Sequence, residues 1–405
     1  MTIVLGDNVI SSLGFTTEEN YRHVKQGICG LQYYADRFGL PEPFMASEID
    51  TKRLDEAFEK VDDEYLDIID EMDFDDSAKR EMKAAKYGIR YTKLEKACIV
   101  SIAEALRGTN IDIKKDEIDL ILSTTKGNIS LLDENERGKF KQEQLYLWRS
   151  AQIIACFFGR IYSVYVVSNA CVSGAAALIA GQRDLRKKAT KYVIVTGVDV
   201  LSKFIISGFQ SFKALSPSPC KPFDANRDGL NIGEAVATMI LTERKAGDCR
   251  SGDIVLTAGA MRNDANHISG PSRMGEGSYL ALKQVLKGID AEDIGFVCAH
   301  GTATPYNDEM ESVALTRAGL KDVPVYSLKG YFGHTLGAAG VLESVISTRA
   351  LKEGVLLKTL GCDTPGVEYP LDIVMENRET TKHRFVKLLS GFGGCNTALL
   401  FTKIL

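Results

Sequence analysis

An α/β fold is predicted by three features of this 405-residue sequence. Apolar, β-branched runs alternate with stretches of helical periodicity, the order expected where helices are layered on a sheet. Hydrophobic residues make up 45% of the chain and charged ones 25%, enough for one large layered unit or two domains with substantial cores. One predicted helix, at 173–185, opens with alanine and glycine around Leu178 and Ile179, so it can pack closely on every side.

In chain order, strands are predicted at 119–123, 162–167, 192–197, 235–241, 296–299 and 323–327, where β-branched and aromatic residues concentrate. Helices are predicted at 93–106, 173–185, 308–318 and 340–352 from their apolar periodicity. Two last strands, 385–389 and 397–401, flank the loop Ser390-Gly391-Phe392-Gly393-Gly394-Cys395-Asn396. Residues 55–76 carry twelve acidic side chains and one basic one, Lys60, interleaved with apolar positions including Phe58, Val61, Ile69, Met72 and Phe74. The pattern predicts a surface helix with solvated charges and one face packed on the body. No short repeat emerges from the spacing, and the proline-containing stretch 216–223 is predicted to be an ordered loop.

The formal net charge of −5 gives no support for a nucleic-acid or membrane-binding surface. The first residues lack the basic-then-apolar layout of a signal peptide, and no run approaches the roughly 20 apolar residues that span a bilayer. Nine cysteines are scattered without C-x-x-C pairing, which fits a reducing cytoplasm and predicts no structural metal.

Three short segments carry chemistry. Cys171 lies between the 162–167 strand and the 173–185 helix, where a helix N-terminus favours thiolate over thiol and can receive an oxyanion. Of five histidines, His300 opens His300-Gly301-Thr302-Ala303-Thr304 after a strand, and His334 closes Lys329-Gly330-Tyr331-Phe332-Gly333-His334 after another. Glycine at both sites permits tight turns and close approach of a long ligand. Lys329 falls in a segment predicted to be buried, so its charge needs a partner. Glu311, on the same helical face as Asp308, is the expected one.

Taken together, A-C-x-S-G, H-G-T-x-T, K-x-x-x-G-H-x-x-G-A-A-G and G-F-G-G-x-N, in this order, resemble the decarboxylating β-ketoacyl-acyl carrier protein synthases of the thiolase superfamily. Supporting matches are Gly208-Phe209, Ala214-Leu215-Ser216, Pro222-Phe223-Asp224, Arg227-Asp228-Gly229 and Gly233-Glu234. The resemblance is strongest from residue 162 onward. It implies a five-layered αβαβα fold of two similar halves, 1–242 carrying Cys171 and 243–405 carrying His300 and His334, assembled as a homodimer or as a heterodimer with a related subunit.

The resemblance also implies the roles. Cys171 takes the growing chain from an acyl carrier protein, and His300 and His334 promote decarboxylation of the malonyl-loaded carrier. The backbone N–H groups of Cys171 and Phe392 form the oxyanion hole, with Phe392 as gate. Lys329 and Glu311 form a supporting charged pair. Thr302, Thr304 and Ser269 bind substrate, and Lys213 docks the carrier. No cofactor is implied beyond the carrier's phosphopantetheine. The pathway is fatty-acid, polyene or polyketide elongation. Thiolases need a second catalytic cysteine, for which Cys395 is the candidate, and chain-initiating synthases use His plus Asn; two glycine-flanked histidines argue against both. Chain-length-determining partner subunits resemble this fold but lose the nucleophile, which is present here. The family's glycine-rich turn is missing at Ser123-Thr124-Thr125-Lys126-Gly127-Asn128, and Val172 and Cys395 are departures.

Overall fold

The computed structural model describes residues 1–71, 75–136, 138–159, 161, 163–188 and 190–405, with all their side chains except those at 67, 68, 81, 82, 84, 85 and 87. The ten principal strands are β1 (Thr2–Ser11), β2 (Ile118–Ser123), β3 (Ser163–Val167), β4 (Tyr192–Asp199), β5 (Ala235–Glu243), β6 (Ile254–Asn263), β7 (Phe296–Cys298), β8 (Val325–Tyr326), β9 (Arg384–Gly391) and β10 (Cys395–Lys403). The described helices are α1 (Thr17–Lys25), α2 (Thr51–Glu71), α3 (Asp76–Tyr87), α4 (Lys93–Arg107), α5 (Leu147–Phe158), α6 (Ser173–Arg186), α7 (Lys203–Ser211), α8 (Glu276–Val285), α9 (Pro305–Arg317), α10 (Lys329–Phe332) and α11 (Ala339–Glu353).

Hydrogen bonding links the strands in the order β8-β7-β9-β10-β6-β1-β5-β4-β2-β3. The same topology occurs twice. Strands β1 to β5 are arranged β1-β5-β4-β2-β3, with β2 parallel to β3 and β4 and the rest antiparallel. Strands β6 to β10 repeat this as β6-β10-β9-β7-β8 with the same directions. Among the described residues, strands of the two sets pair where Thr2–Val4 meets residues 254–256.

Strand periodicity builds the layers, because successive side chains leave a sheet on opposite faces. Val193 and Val195 of β4, and Leu399 and Phe401 of β10, join one core with Leu178 and Ile179 of α6 and Leu342 and Val345 of α11. Their neighbours Ile194 and Val198 face outward onto Ile102 of α4 and Ile154 of α5, while Ala398 and Leu400 face Leu282 of α8 and Leu315 of α9. Helices α6 and α11 thus form a central layer between two sheet portions, each covered outside by further helices, giving the five layers. Their N-terminal ends meet backbone to backbone. A Cβ on Gly340 would overlap the nitrogen of Ala175, and one on Gly174 would lie 2.9 Å from the nitrogen of Val341. That approach fixes where Cys171, just before α6, sits relative to His334, just before α11.

The predicted elements recur within a few residues of their expected bounds, except that β8 shrinks to two residues and α9 starts at Pro305, earlier than 308. Tyr162 lies outside the described residues. The acidic segment forms α2 and enters α3; Leu54, Phe58, Val61, Tyr65 and Ile69 are buried along one stripe, against Phe157 and Phe158 of α5. Residues 72–74, with Met72 and Phe74, lie outside the described residues. Among the described residues no helix is long and apolar enough to cross a membrane.

Candidate active site

The turn carrying Cys171 is locked by its neighbours. Ala170 adopts a left-handed φ of 45°, a conformation that costs a residue with a Cβ and persists only where the surroundings enforce it. Ser173 enforces it: its hydroxyl accepts from the Asn169 N–H at 2.8 Å and donates to the Ala170 carbonyl at 2.6 Å. Cys171 itself is 8% exposed.

Burial pushes the Cys171 thiol up to about 11, against the pull of Lys329. This runs against the expected thiolate, because loss of solvent around the sulfur outweighs the nearby ammonium. The thiol is neutral in the resting site, so its alkylation by iodoacetamide should rise about tenfold per pH unit from 7 to 10. Mass mapping of the nine cysteines over that range checks it; a rate already flat at pH 8 would contradict it.

His300 follows β7. Its N–H and that of Gly301 donate to the two carboxylate oxygens of Glu311 at 2.7 and 2.6 Å. Asp308 takes the Thr302 N–H at 3.0 Å, and Asn307 bridges both acids. Burial raises Glu311 to about 7 and Asp308 to about 6. His334 is placed by Gly333, whose φ of 70° and close contact with the Ile232 backbone admit only glycine. The His334 N–H donates to the Asn231 carbonyl at 2.6 Å.

The two imidazole rings meet edge to face, 5.1 Å apart at 82°. Ligating atoms of Cys171, His300 and His334 all lie within 4.8 Å of one another. Among the described residues, His300 Nδ1 and both ring nitrogens of His334 have no hydrogen-bond partner. Burial, followed by the charge of Lys329, holds both rings well below the usual histidine range, and Lys387 adds to this. They are neutral donors at physiological pH. The same three atoms could converge on a soft metal ion, but a protonated thiol and two nearby ammonium groups oppose a cation there.

Lys329 does not pair with Glu311. Its ammonium meets Glu343 of α11, which also takes Lys387 at 2.7 Å. The physical reason is geometric: Glu311 has spent both oxygens on the backbone of His300 and Gly301, while the turn into α10 aims Lys329 at α11.

A single cavity of about 530 Å³ contains Cys171, His300, His334, Thr302, Thr304 and Phe392 in its walls, with Lys213 and Ser269 also in its lining. Lys329 and Glu311 stand behind the wall, Lys329 acting on the site through its charge and Glu311 through the backbone it holds. The Thr302 and Thr304 hydroxyls share a hydrogen bond of 2.9 Å. Phe392 is 37% exposed and stacks on Phe209 at 5.9 Å and against Phe212 at 5.5 Å. Sequence reasoning missed Glu343, Lys387 and His267; the last lines the cavity and accepts the Ser269 and Gly270 N–H groups on Nδ1. A lysine inside the apolar run 385–389 is the signal that could have revealed Lys387.

The family model for the beta-ketoacyl synthase N-terminal domain matches residues 3–246, and that for the C-terminal domain matches residues 254–363. The chain belongs to the β-ketoacyl synthase family. Membership makes it an acyltransferase. This β-ketoacyl synthase is 31% identical over 254 residues to the 3-oxoacyl-[acyl-carrier-protein] synthase 2 of Vibrio harveyi, covering 59% of this chain and 61% of that one. In fold it is similar to a ketosynthase solved in complex with its chain length factor from Xenorhabdus doucetiae, with a TM-score of 0.81, 22% identity and coverage of 99% and 98%. It is similar also to a ketosynthase solved with a type II PKS acyl-carrier protein, with a TM-score of 0.79, 20% identity and coverage of 100% and 99%.

Proposed function

We propose that this β-ketoacyl synthase is an elongating 3-oxoacyl-[acyl-carrier-protein] synthase that condenses an acyl-Cys171 thioester with malonyl-acyl carrier protein. The observation that carries the reading is the convergence of one thiol and two neutral imidazoles on the floor of a single cavity.

In the first half-reaction the Cys171 sulfur attacks the carrier's thioester carbonyl, and its proton leaves with the pantetheine thiol. The N–H groups of Cys171 and Phe392 hold the tetrahedral oxyanion. In the second, the malonyl carbon–carbon bond breaks and carbon dioxide departs. The electron pair stays as an enolate whose oxygen accepts from the imidazole N–H groups of His300 and His334. The enolate carbon attacks the acyl carbonyl, Cys171 leaves as the sulfur group and regains a proton, and a 3-oxoacyl carrier is released. Donors already in place need no reorganisation as charge develops, which is where such sites gain most of their rate. An enolate is protonated by water, so depth and the Phe392 gate protect it.

Thr302, Thr304 and Ser269 face the path of a phosphopantetheine arm, and Lys213 stands exposed beside Phe212 at the mouth, suited to an acidic carrier protein. No resident cofactor is needed. Strand β3 ends the sheet, and a half-buried edge strand with Val164 and Val166 supports pairing with a second copy or a related subunit. Nine free thiols support a reducing compartment such as the cytoplasm.

The test is intact-protein mass spectrometry after mixing the enzyme with a ladder of acyl-carrier proteins. An acyl mass on Cys171 for part of the ladder is expected and reports the preferred chain length. No acylation across the ladder, alone or with a related partner subunit, would sink the reading.

A further inference from the structure

Lys387 is fully buried on β9, in parallel register with Cys298 of β7. Its ammonium donates to the carbonyls of Cys298 at 3.1 Å, Ala299 at 2.9 Å and Leu388 at 2.6 Å. It also lies 2.7 Å from a Glu343 oxygen whose twin takes Lys329. Cys298 and Ala299 are the two residues immediately before His300. A strand that only filled core volume would be better served by leucine or methionine, since burying an ion is unfavourable until its partners offset the lost hydration. Two ammonium groups share one carboxylate, so the cluster carries one positive charge in excess. Of the other ionisable groups facing it, Asp308 and Glu311 from α9 are raised by burial to about 6 and about 7, so both keep carboxylate character at neutral pH, while Cys171 before α6 and Cys298 on β7 are raised thiols.

We propose that Lys387 is a positioning residue for the histidine pair, tying the last carbonyls before His300 to the Glu343–Lys329 ion pair and placing a second ammonium behind both rings. Its functional meaning rests on the condensing reaction proposed above; its effect on the rings does not. An enolate forming between the rings would gain from that charge, and the carbonyl ties keep His300 from drifting. A displacement of about 1 Å in such a group costs on the order of 100-fold in rate.

The experiment uses the full chain and exploits its five histidines, which give a sparse carbon-13 histidine NMR spectrum. In Lys387→Met one ammonium behind the rings is gone, so His300 and His334 should titrate at higher pH than in the parent. Malonyl-carrier decarboxylation should fall in kcat on the order of 100-fold, with KM little changed. Adding Glu343→Gln leaves Lys329 without its carboxylate partner, so both rings should return to low titration and part of the rate should recover. If Lys387→Met fails to fold, the double variant carries the test, its rings titrating as low as the parent's. Rings unmoved in Lys387→Met, or left high in the double variant, would overturn the proposal. A parent that neither condenses nor decarboxylates would sink the reaction assigned above, while the ring titrations still decide the role of Lys387.

Discussion

Cys171→Ala is expected to abolish condensation while leaving the decarboxylation of malonyl carrier in place. The loss should be on the order of 10⁶-fold, the size seen when a covalent nucleophile is removed from a unit that acts together. The substitution removes one sulfur from a site that is 8% exposed, so the burial it forfeits is on the order of 1 kcal/mol. Folding should survive it. His300 and His334 are set by Glu311, Gly333 and Asn231, none of which depends on the thiol, so the imidazole pair remains able to hold an enolate. A product assay by mass spectrometry beside a carbon dioxide release assay separates the two halves. Undiminished condensation in the variant would remove Cys171 from the mechanism.

His300→Ala and His334→Ala should show the reverse split. Each removes one preorganised donor from a place shielded from water, a loss worth about 2.7–4 kcal/mol or 10²–10³ in rate. That loss falls on decarboxylation, where charge develops on the thioester oxygen. Transfer of the acyl group to Cys171 relies on backbone N–H groups that both variants keep, so acyl-enzyme should still accumulate, detectable as an intact mass. Neither change touches the Ala170 turn that aims the sulfur, which Ser173 holds. Equal loss of acylation and decarboxylation in both variants would mean that the rings act on the nucleophile and not on the malonyl group.

Much of this was legible in the sequence because the chemistry sits in short, glycine-marked segments. Cys171 precedes a helix of small residues, and the histidines follow apolar runs, so each could be placed on an element from local pattern alone. Long-range charge pairing could not. Lys329 and Glu311 looked like partners because both were expected near the site, but hydrogen-bonding geometry gave Glu311 to the His300–Gly301 backbone and Lys329 to Glu343. Nothing in the local residues around Glu343 distinguishes it from any other acid on a helix. The thiol's protonation was misjudged for a related reason: a helix end is visible in sequence, whereas the depth of burial that opposes it is a property of the assembled layers. The twofold topology of β1 to β5 and β6 to β10 was implied by the family resemblance as two similar halves but is not visible in residue spacing, since it repeats in strand order and direction. Strand β6 was missed as well.

The most direct test of the central claim is a single-turnover reaction between acyl-loaded enzyme and malonyl-carrier protein, followed by intact mass. The account predicts that the acyl mass on Cys171 disappears at the rate at which a 3-oxoacyl carrier, longer by two carbons, forms and carbon dioxide is released. An acyl mass that persists while carbon dioxide is released, or that leaves by hydrolysis without a lengthened product, would contradict it.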